Sequence, residues 1–373
     1  MRILFVNYEY PPIGGGGANA NKYLFREFAG FDDLQIDFVT SGLSDVLEIK
    51  DIYPNIKGYF LPVKKKELHF WKEAEVIRFL WQARKQCKKL LRNNKYDLCH
   101  CFFGFPSGLL GLLNRKKVPY IISLRGSDVP GFNVRFQAHY IILTPLFRQI
   151  WKKSKAVIAN SNGLCELALQ SAPKQQIEII PNGIDTNEFS PSTNKNNDTF
   201  NVLCVSRLIE RKGIHFLLDA WKKLIEKNQN SKLFIVGEGD MKTVLLEKSE
   251  KLGITNSVNF TGRLVHEKTI DMYKKADVFV LPSMNEGMSN TILEAMACGL
   301  PIVSTGVGGS DELFSDNAKI IPKKDSDAIV NVLFELANDK TLREKMGRIS
   351  RINAEKMSWK SVAMSYYECY KKM

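Results

Sequence analysis

Short, largely apolar runs alternate along the chain with longer segments whose apolar residues recur at helical spacing. Ile3–Asn7, Ile36–Thr40, Tyr96–Phe102, Pro119–Leu124, Ala156–Asn160 and Ile177–Ile180 are runs of the first kind. Such runs suit strands buried on both faces of a parallel sheet. Helices are expected from near Asn19 to about Ala29, over Lys72–Asn93 and Leu109–Asn114, and after Ser161-Asn162-Gly163. The polar, turn-rich stretch 191–198 interrupts this pattern, and the alternation then restarts. Phe200–Val205, Leu233–Val236, Val258–Thr261, Val278–Leu281 and Pro301–Ser304 read as strands. Helices follow Gly213 and cover Thr291–Cys298, the second stopped by Gly299 and Pro301. The expected class is α/β with two Rossmann-like, doubly wound domains, 1–190 and 199–356, and a helical aromatic tail. A chain of 373 residues is long enough for two such cores.

In open parallel sheets, ligands bind at the carboxyl ends of strands. The polar clusters of this chain fall there: Gly14–Gly17, Arg125–Asp128, Arg207 with Lys212, Gly237–Gly239, Arg263, and Glu286–Asn290. Strand, glycine loop and helix open a nucleotide-binding βαβ unit at the N-terminus, but the spacing is not GxGxxG. These glycines would admit a phosphate or sugar close to the backbone, or they form a loop without a ligand. Glu286 and Glu294 straddle a loop and the start of a helix. Carboxylates there suit sugar hydroxyls and the helix-start N–H groups suit an anion. The alternatives are an exposed loop acid and an acid complementing the helix dipole. Arg207 and Lys212, from one strand-to-helix loop, suit a diphosphate, or they are solvated loop cations. No HExxH, no GxxxxGK[ST] and no Asp-x-Asp after a strand occurs, and Asp325 and Asp327 read as surface. Phosphate handling is therefore expected from cations and backbone dipoles, with no metal and no cofactor.

Composition changes the picture in two places. The seven cysteines are odd in number, scattered and without zinc spacing, which favours a reducing, cytoplasmic setting. Cys99-His100-Cys101 lies in an expected strand, where neighbours point to opposite faces and hold a shared metal poorly. No apolar run approaches the roughly 20 residues of a membrane span, and no signal-peptide layout opens the chain. The net charge of +13 is uneven: residues 60–117 hold 14 Lys/Arg against four acids, interleaved with Phe70, Trp71, Phe79 and Trp81. That region is either a surface helix with a basic polar side or a surface that leans on anionic lipid headgroups. No nucleic-acid module accompanies it, so no nucleic-acid partner is expected.

Glu286 and Glu294 with seven residues between them, Pro282-Ser283 before and Ala295-Met296-Ala297-Cys298-Gly299-Leu300-Pro301 after, resemble the E-x7-E motif of glycosyltransferase family 4. Ser206-Arg207-Leu208 with Lys212-Gly213, Pro181-Asn182-Gly183-Ile184-Asp185, Gly237-Glu238-Gly239, Thr261-Gly262 and the glycine loop stand in the family's order across nearly the whole chain. The resemblance implies a GT-B fold with a cleft between the domains and a C-terminal helix, 357–373, that returns to the first domain. It implies a hexosyltransferase with a nucleotide-sugar donor, UDP-sugar favoured, no metal and retention of configuration. Carried over, Arg207 and Lys212 hold the diphosphate and Glu294 holds the ribose. Glu286, with the backbone of Gly287, Met288 and Ser289 and with Asn290, holds the donor sugar. Gly237 and the backbone near Arg263 and Leu264 lie on the donor side, and Gly15, Gly16 and Gly17 close on the donor. Met284, Asn285 and Met288 shape donor choice.

One position departs from the family pattern. Many members carry His-Gly where this chain has Arg125-Gly126-Ser127-Asp128. An arginine cannot act as a base, but it can stabilise phosphate or bind an acidic sugar or lipid diphosphate. His100 and Asp128 are acceptor-side candidates, although a lone strand histidine also has an ordinary structural reading. The expected function is transfer to a glycan or lipid-linked acceptor of surface polysaccharide or lipopolysaccharide, at the cytoplasmic membrane face. The rivals are a nucleotide-sugar epimerase of the same fold and an inactive sugar-nucleotide or membrane-surface binding module.

Overall fold

The structure is a computed structural model. It describes every residue except 134, 135, 193–198, 287 and 308–311, and the side chain of 138. The chain divides into Met1–Gly183 with Trp359–Met373, and Ile184–Ser358.

The first unit runs β1 (Arg2–Val6), α1 (Gly16–Phe28), β2 (Gln35–Gly42), β3 (Glu48–Tyr53), β4 (Ile56–Pro62), α2 (Glu73–Asn93), β5 (Leu98–Phe102), α3 (Ser107–Asn114), β6 (Tyr120–Leu124), α4 (Gln137–Lys152), β7 (Ala156–Ala159), α5 (Asn162–Ser171) and β8 (Glu178–Ile179). Its sheet order is β3-β4-β2-β1-β5-β6-β7-β8. All pairs are parallel except β3 with β4, an antiparallel edge hairpin. β1, β5 and β6 are central and nearly or wholly buried, which is why their sequences are mostly apolar, with only Arg2, His100 and Ser123 as exceptions.

The second unit runs β9 (Phe200–Val205), α6 (Ile214–Lys227), β10 (Ser231–Val236), α7 (Lys242–Lys251), β11 (Val258–Gly262), α8 (His266–Lys275), β12 (Val278–Leu281), α9 (Asn290–Ala297), β13 (Ile302–Ser304), β14 (Ala318–Ile320), α10 (Ser326–Asn338) and α11 (Lys340–Glu355). Its sheet, β11-β10-β9-β12-β13-β14, is parallel throughout. Ile184 and Phe189 belong to this unit's core, and Arg351 donates to the carbonyls of Thr186 and Phe189. The segment up to residue 190 is thus built into the second unit from Ile184 onward, and most of the polar stretch 191–198 lies outside the described residues.

α12 (Trp359–Lys371) buries Trp359, Val362, Ala363, Tyr366 and Tyr370 in the core of the first unit. Tyr367 adds a bond to Asp33, 2.6 Å. In α2 the carboxylate of Glu75 accepts the Lys72 N–H at 3.0 Å and forms a buried ion pair with Lys65 at 2.7 Å. That pair removes Lys65 from the surface charge. Phe79 is also in the core and Trp71 packs on Tyr8, so only Phe70 and Trp81 of the four interleaved aromatics are exposed.

Candidate active site

Two strand-to-helix loops of the second unit are locked together at the carboxyl ends of β9 and β12. After β9 a single helical turn, Glu210–Lys212, ends in Gly213 at φ +67°. A Cβ on Gly213 would lie 2.1 Å from the Pro282 carbonyl oxygen, so the two loops meet at a distance only glycine permits. Met284 N–H donates to the Arg211 carbonyl at 2.7 Å, and Arg211 Nη1 donates to the Asn285 carbonyl at 2.9 Å. Thr305 holds the Ser283 carbonyl from behind.

This lock brings Lys212 and Glu286 into a buried ion pair, with Ser283 Oγ donating to Glu286 Oε1 at 2.7 Å. Burial pushes the Glu286 carboxyl up, but Lys212, Arg211 and the Ser283 hydroxyl outweigh it, and the group stays ionised below its ordinary range. Burial and the neighbouring Arg211 and Arg207 push the Lys212 ammonium down, while Glu286 keeps it charged. Arg207 is exposed on the same loop. Two cations, Lys212 and Arg211, thus face one carboxylate, with Arg207 beside them, and the surplus positive charge suits an anion with more than one charge.

Glu294, in the first turn-and-a-half of α9, accepts from Tyr273 Oη at 2.7 Å. Burial pushes its carboxyl up to about 7, with Tyr273 and His266 holding it down and Glu188 adding to the rise. Met288 and Ser289 are buried beside Glu286, and Asn290 opens α9. Gly287 lies outside the described residues. Gly237, at φ +145°, would place a Cβ 1.8 Å from the Ser206 carbonyl oxygen; its N–H donates to Gly262 O at 2.9 Å. Close loop packing therefore accounts for that glycine. Arg263 is exposed and Leu264 half-buried just beyond β11.

In the first unit, α1 begins at Gly16 rather than Asn19, and no side chain caps it. Gly15 and Gly16 are exposed, while Gly17 packs so tightly on Phe103 that a Cβ would lie 2.7 Å from its ring. Gly14 N–H donates to Leu68 O at 2.8 Å and His69 Nδ1 bonds the Gly14 carbonyl. Arg125, partly exposed at the end of β6, bonds Asn182 and stacks 4.4 Å over Phe102. Asp128 is buried and accepts backbone N–H groups of Gly104 (2.6 Å), Arg125 (2.9 Å) and Gly126 (2.8 Å). It clamps two loops. His100 is wholly buried, with both ring nitrogens bonded, to Tyr370 (2.6 Å) and Ser123 (2.7 Å). Burial first, then the charge of Arg125, pushes its pKa down to about 3, so the ring is neutral. This is the structural reading of a strand histidine; neither ring nitrogen is left for an acceptor. Among the described residues no cluster of three or more His, Cys, Asp or Glu could hold a metal ion.

Sequence reasoning passed over Arg211 and Tyr273 and gave Ser283 no role beyond its place in the motif. Arg211 was signalled by its place beside Lys212; Tyr273 reaches Glu294 from another helix, which no local pattern shows.

Two largely parallel α/β sheets, the second with a polybasic loop and a buried carboxylate at the carboxyl ends of its strands, are the architecture of the GT-B fold. The model of "Glycosyl transferases group 1" matches residues 185–352, and that of "Glycosyltransferase Family 4" matches residues 14–188. The chain belongs to this family and is a glycosyltransferase that uses a nucleotide-sugar donor. It is 28% identical to an uncharacterized glycosyltransferase of Methanocaldococcus jannaschii, covering 100% of this chain and 98% of the relative. It is 29% identical to the capsular polysaccharide biosynthesis glycosyltransferase CapM of Staphylococcus aureus, over 88% of this chain and 87% of the relative. Among solved structures it resembles Anabaena HepE in complex with UDP, with a TM-score of 0.78 at 18% identity and full coverage of both chains.

Proposed function

We propose that the chain is a retaining, metal-independent glycosyltransferase that moves a sugar from a UDP-sugar to a glycan or lipid-linked acceptor of surface polysaccharide or lipopolysaccharide. The observation that carries this reading is the Lys212–Glu286 pair inside the Arg207–Arg211–Lys212 cluster. Arg207 and Lys212 take the diphosphate, and their charge stabilises it as it leaves. Glu286, held ionised by Lys212 and Ser283, accepts hydroxyls of the donor sugar. Glu294 accepts the ribose hydroxyls. The backbone near Arg263 and Leu264 meets the base. No side-chain nucleophile is assigned; the chemistry is attack on the same face from which the diphosphate departs, driven by positioning and charge. UDP is favoured because HepE binds it in the same fold, and the surface-glycan role because CapM belongs to capsule biosynthesis.

The test is transfer from UDP-sugars, with lipid-linked and glycan acceptors, by wild type and by Glu286→Ala, Arg207→Ala and Lys212→Ala. Each variant is expected to lose about 10²-fold or more in turnover, the scale set by loss of one charge-stabilising group. Undiminished transfer by all three would sink the site. Interconversion of UDP-sugars without an acceptor would favour an epimerase instead.

A further inference from the structure

Arg125 is a partly exposed cation set in a buried polar chain. The Tyr366 hydroxyl lies beside its guanidinium and 3.0 Å from Ser123 Oγ. Ser123 Oγ is 2.7 Å from His100 Nε2, and His100 Nδ1 is 2.6 Å from Tyr370 Oη. A guanidinium carries no acceptor, so the Tyr366 oxygen turns its lone pairs towards it. Electrostatics sets the rest of the polarity, with hydroxyl hydrogens pointing away from the cation. Tyr366 then donates to Ser123, Ser123 to the neutral His100, and His100 to Tyr370. Bonds aligned in this way strengthen one another.

The side chains the guanidinium meets are neutral: it donates to the Asn182 amide oxygen and lies over the Phe102 ring, with the Tyr366 hydroxyl beside it. The nearby carboxylate, Asp128, has its oxygens committed to three backbone N–H groups. Among the described residues no carboxylate forms an ion pair with the Arg125 side chain, and the guanidinium donors beyond the one given to Asn182 suit an outside oxyanion. We propose that Arg125 binds an oxyanion of the acceptor, a phosphate or a carboxylate, and that Tyr366 of α12 is the positioning residue that aims it. This rests on reading the first unit as the acceptor side. It would also explain why an arginine stands where a histidine is common: the site selects a charged acceptor.

The experiment is calorimetric titration of the full chain with inorganic phosphate, with glucuronate and with neutral glucose, each with and without saturating UDP. Wild type is expected to bind phosphate or glucuronate and not glucose; the preferred anion tells a phosphate-bearing acceptor from an acidic sugar. Arg125→Gln should weaken that anion by about tenfold or more, the scale of a charge-assisted bond. Arg125→Lys, which keeps charge but loses the fork, and Tyr366→Phe, which removes one hydroxyl, should each weaken it several-fold. UDP affinity should stay within about twofold in all three, a readout that a merely misfolded variant would not preserve. No anion binding by wild type, glucose bound as tightly as glucuronate, or equal anion affinity in Arg125→Gln overturns the proposal. Unchanged anion affinity in Tyr366→Phe overturns the positioning role. Failure of wild type to bind UDP would sink the donor site alone, because the anion comparison is also read without nucleotide.

Discussion

Between about pH 4.5 and pH 7, Glu294 holds a proton in the folded chain that the unfolded chain gives up. Burial raises its carboxyl from 4.5 to about 7. Between those values the native state binds more protons than the unfolded one, so this group's contribution to stability falls as pH rises from about 4.5 to about 7, then levels off. Glu294→Gln should remove that loss and gain most, on the order of 1–3 kcal/mol, at pH 8 rather than at pH 5. Urea unfolding of both proteins at the two pH values checks it; an equal difference at both would refute the raised pKa. Binding reads the same group with opposite sign. Ribose hydroxyls need the ionised carboxylate, so UDP should bind wild type more tightly as pH rises through about 7, and Glu294→Gln should lack that dependence. Glu286 differs because Lys212, Arg211 and Ser283 already hold it ionised. Two glutamates eight positions apart in sequence thus have opposite proton affinities, set by neighbours the spacing does not reveal.

At the scale of elements, the site depends on how closely two loops approach. Gly213 and Gly253 share φ +67°, but a Cβ on Gly213 meets the Pro282 oxygen at 2.1 Å while one on Gly253 meets nothing within 4 Å. Gly253→Ala should cost only the backbone term, about 1 kcal/mol. Gly213→Ala must also part the loops that hold Lys212 and Glu286, so it should cost more, roughly 3 kcal/mol, and weaken UDP binding. Thermal unfolding and nucleotide titration of the pair separate strain from site damage; equal losses would show that the loop contact is unimportant. The same contrast explains what was legible. Central strands such as β5 and β6 are buried throughout and read as apolar runs. The β3–β4 hairpin was not legible, because β3 is an edge strand with half-buried Glu48, exposed Lys50 and Asp51 and no clean alternation. Nor was α4, whose Pro145 breaks the usual helical text. The ordered acids and cations of the donor loops could be found because they are local. The Arg125–Tyr366 contact spans most of the chain and could not.

For the whole molecule, the remaining question is where the excess charge acts. No helix among the described residues is long and apolar enough to cross a membrane. On α2, Ile77 and Trp81 are 66% and 64% exposed, and Arg84, Lys85, Lys88, Lys89 and Arg92 are exposed beyond them. Steps of three and four residues put these on one side of the helix. An apolar wedge followed by a basic stripe matches an anionic headgroup layer, where each Lys or Arg contributes about 1 kcal/mol near the surface. This face is therefore expected to bind an anionic lipid surface. Liposome flotation should show binding to vesicles containing phosphatidylglycerol at about 0.05 M salt and release near 1 M, where the screening length falls to about 3 Å. Lys85→Glu with Lys88→Glu should abolish flotation. Trp81→Ala should weaken it at every salt concentration, because the lost term is apolar. Transfer to a soluble acceptor should be unaffected in these variants, since none of the residues lies at the donor loops. Equal flotation with neutral phosphatidylcholine, or none at low salt, would leave the basic face as an ordinary solvated helix surface.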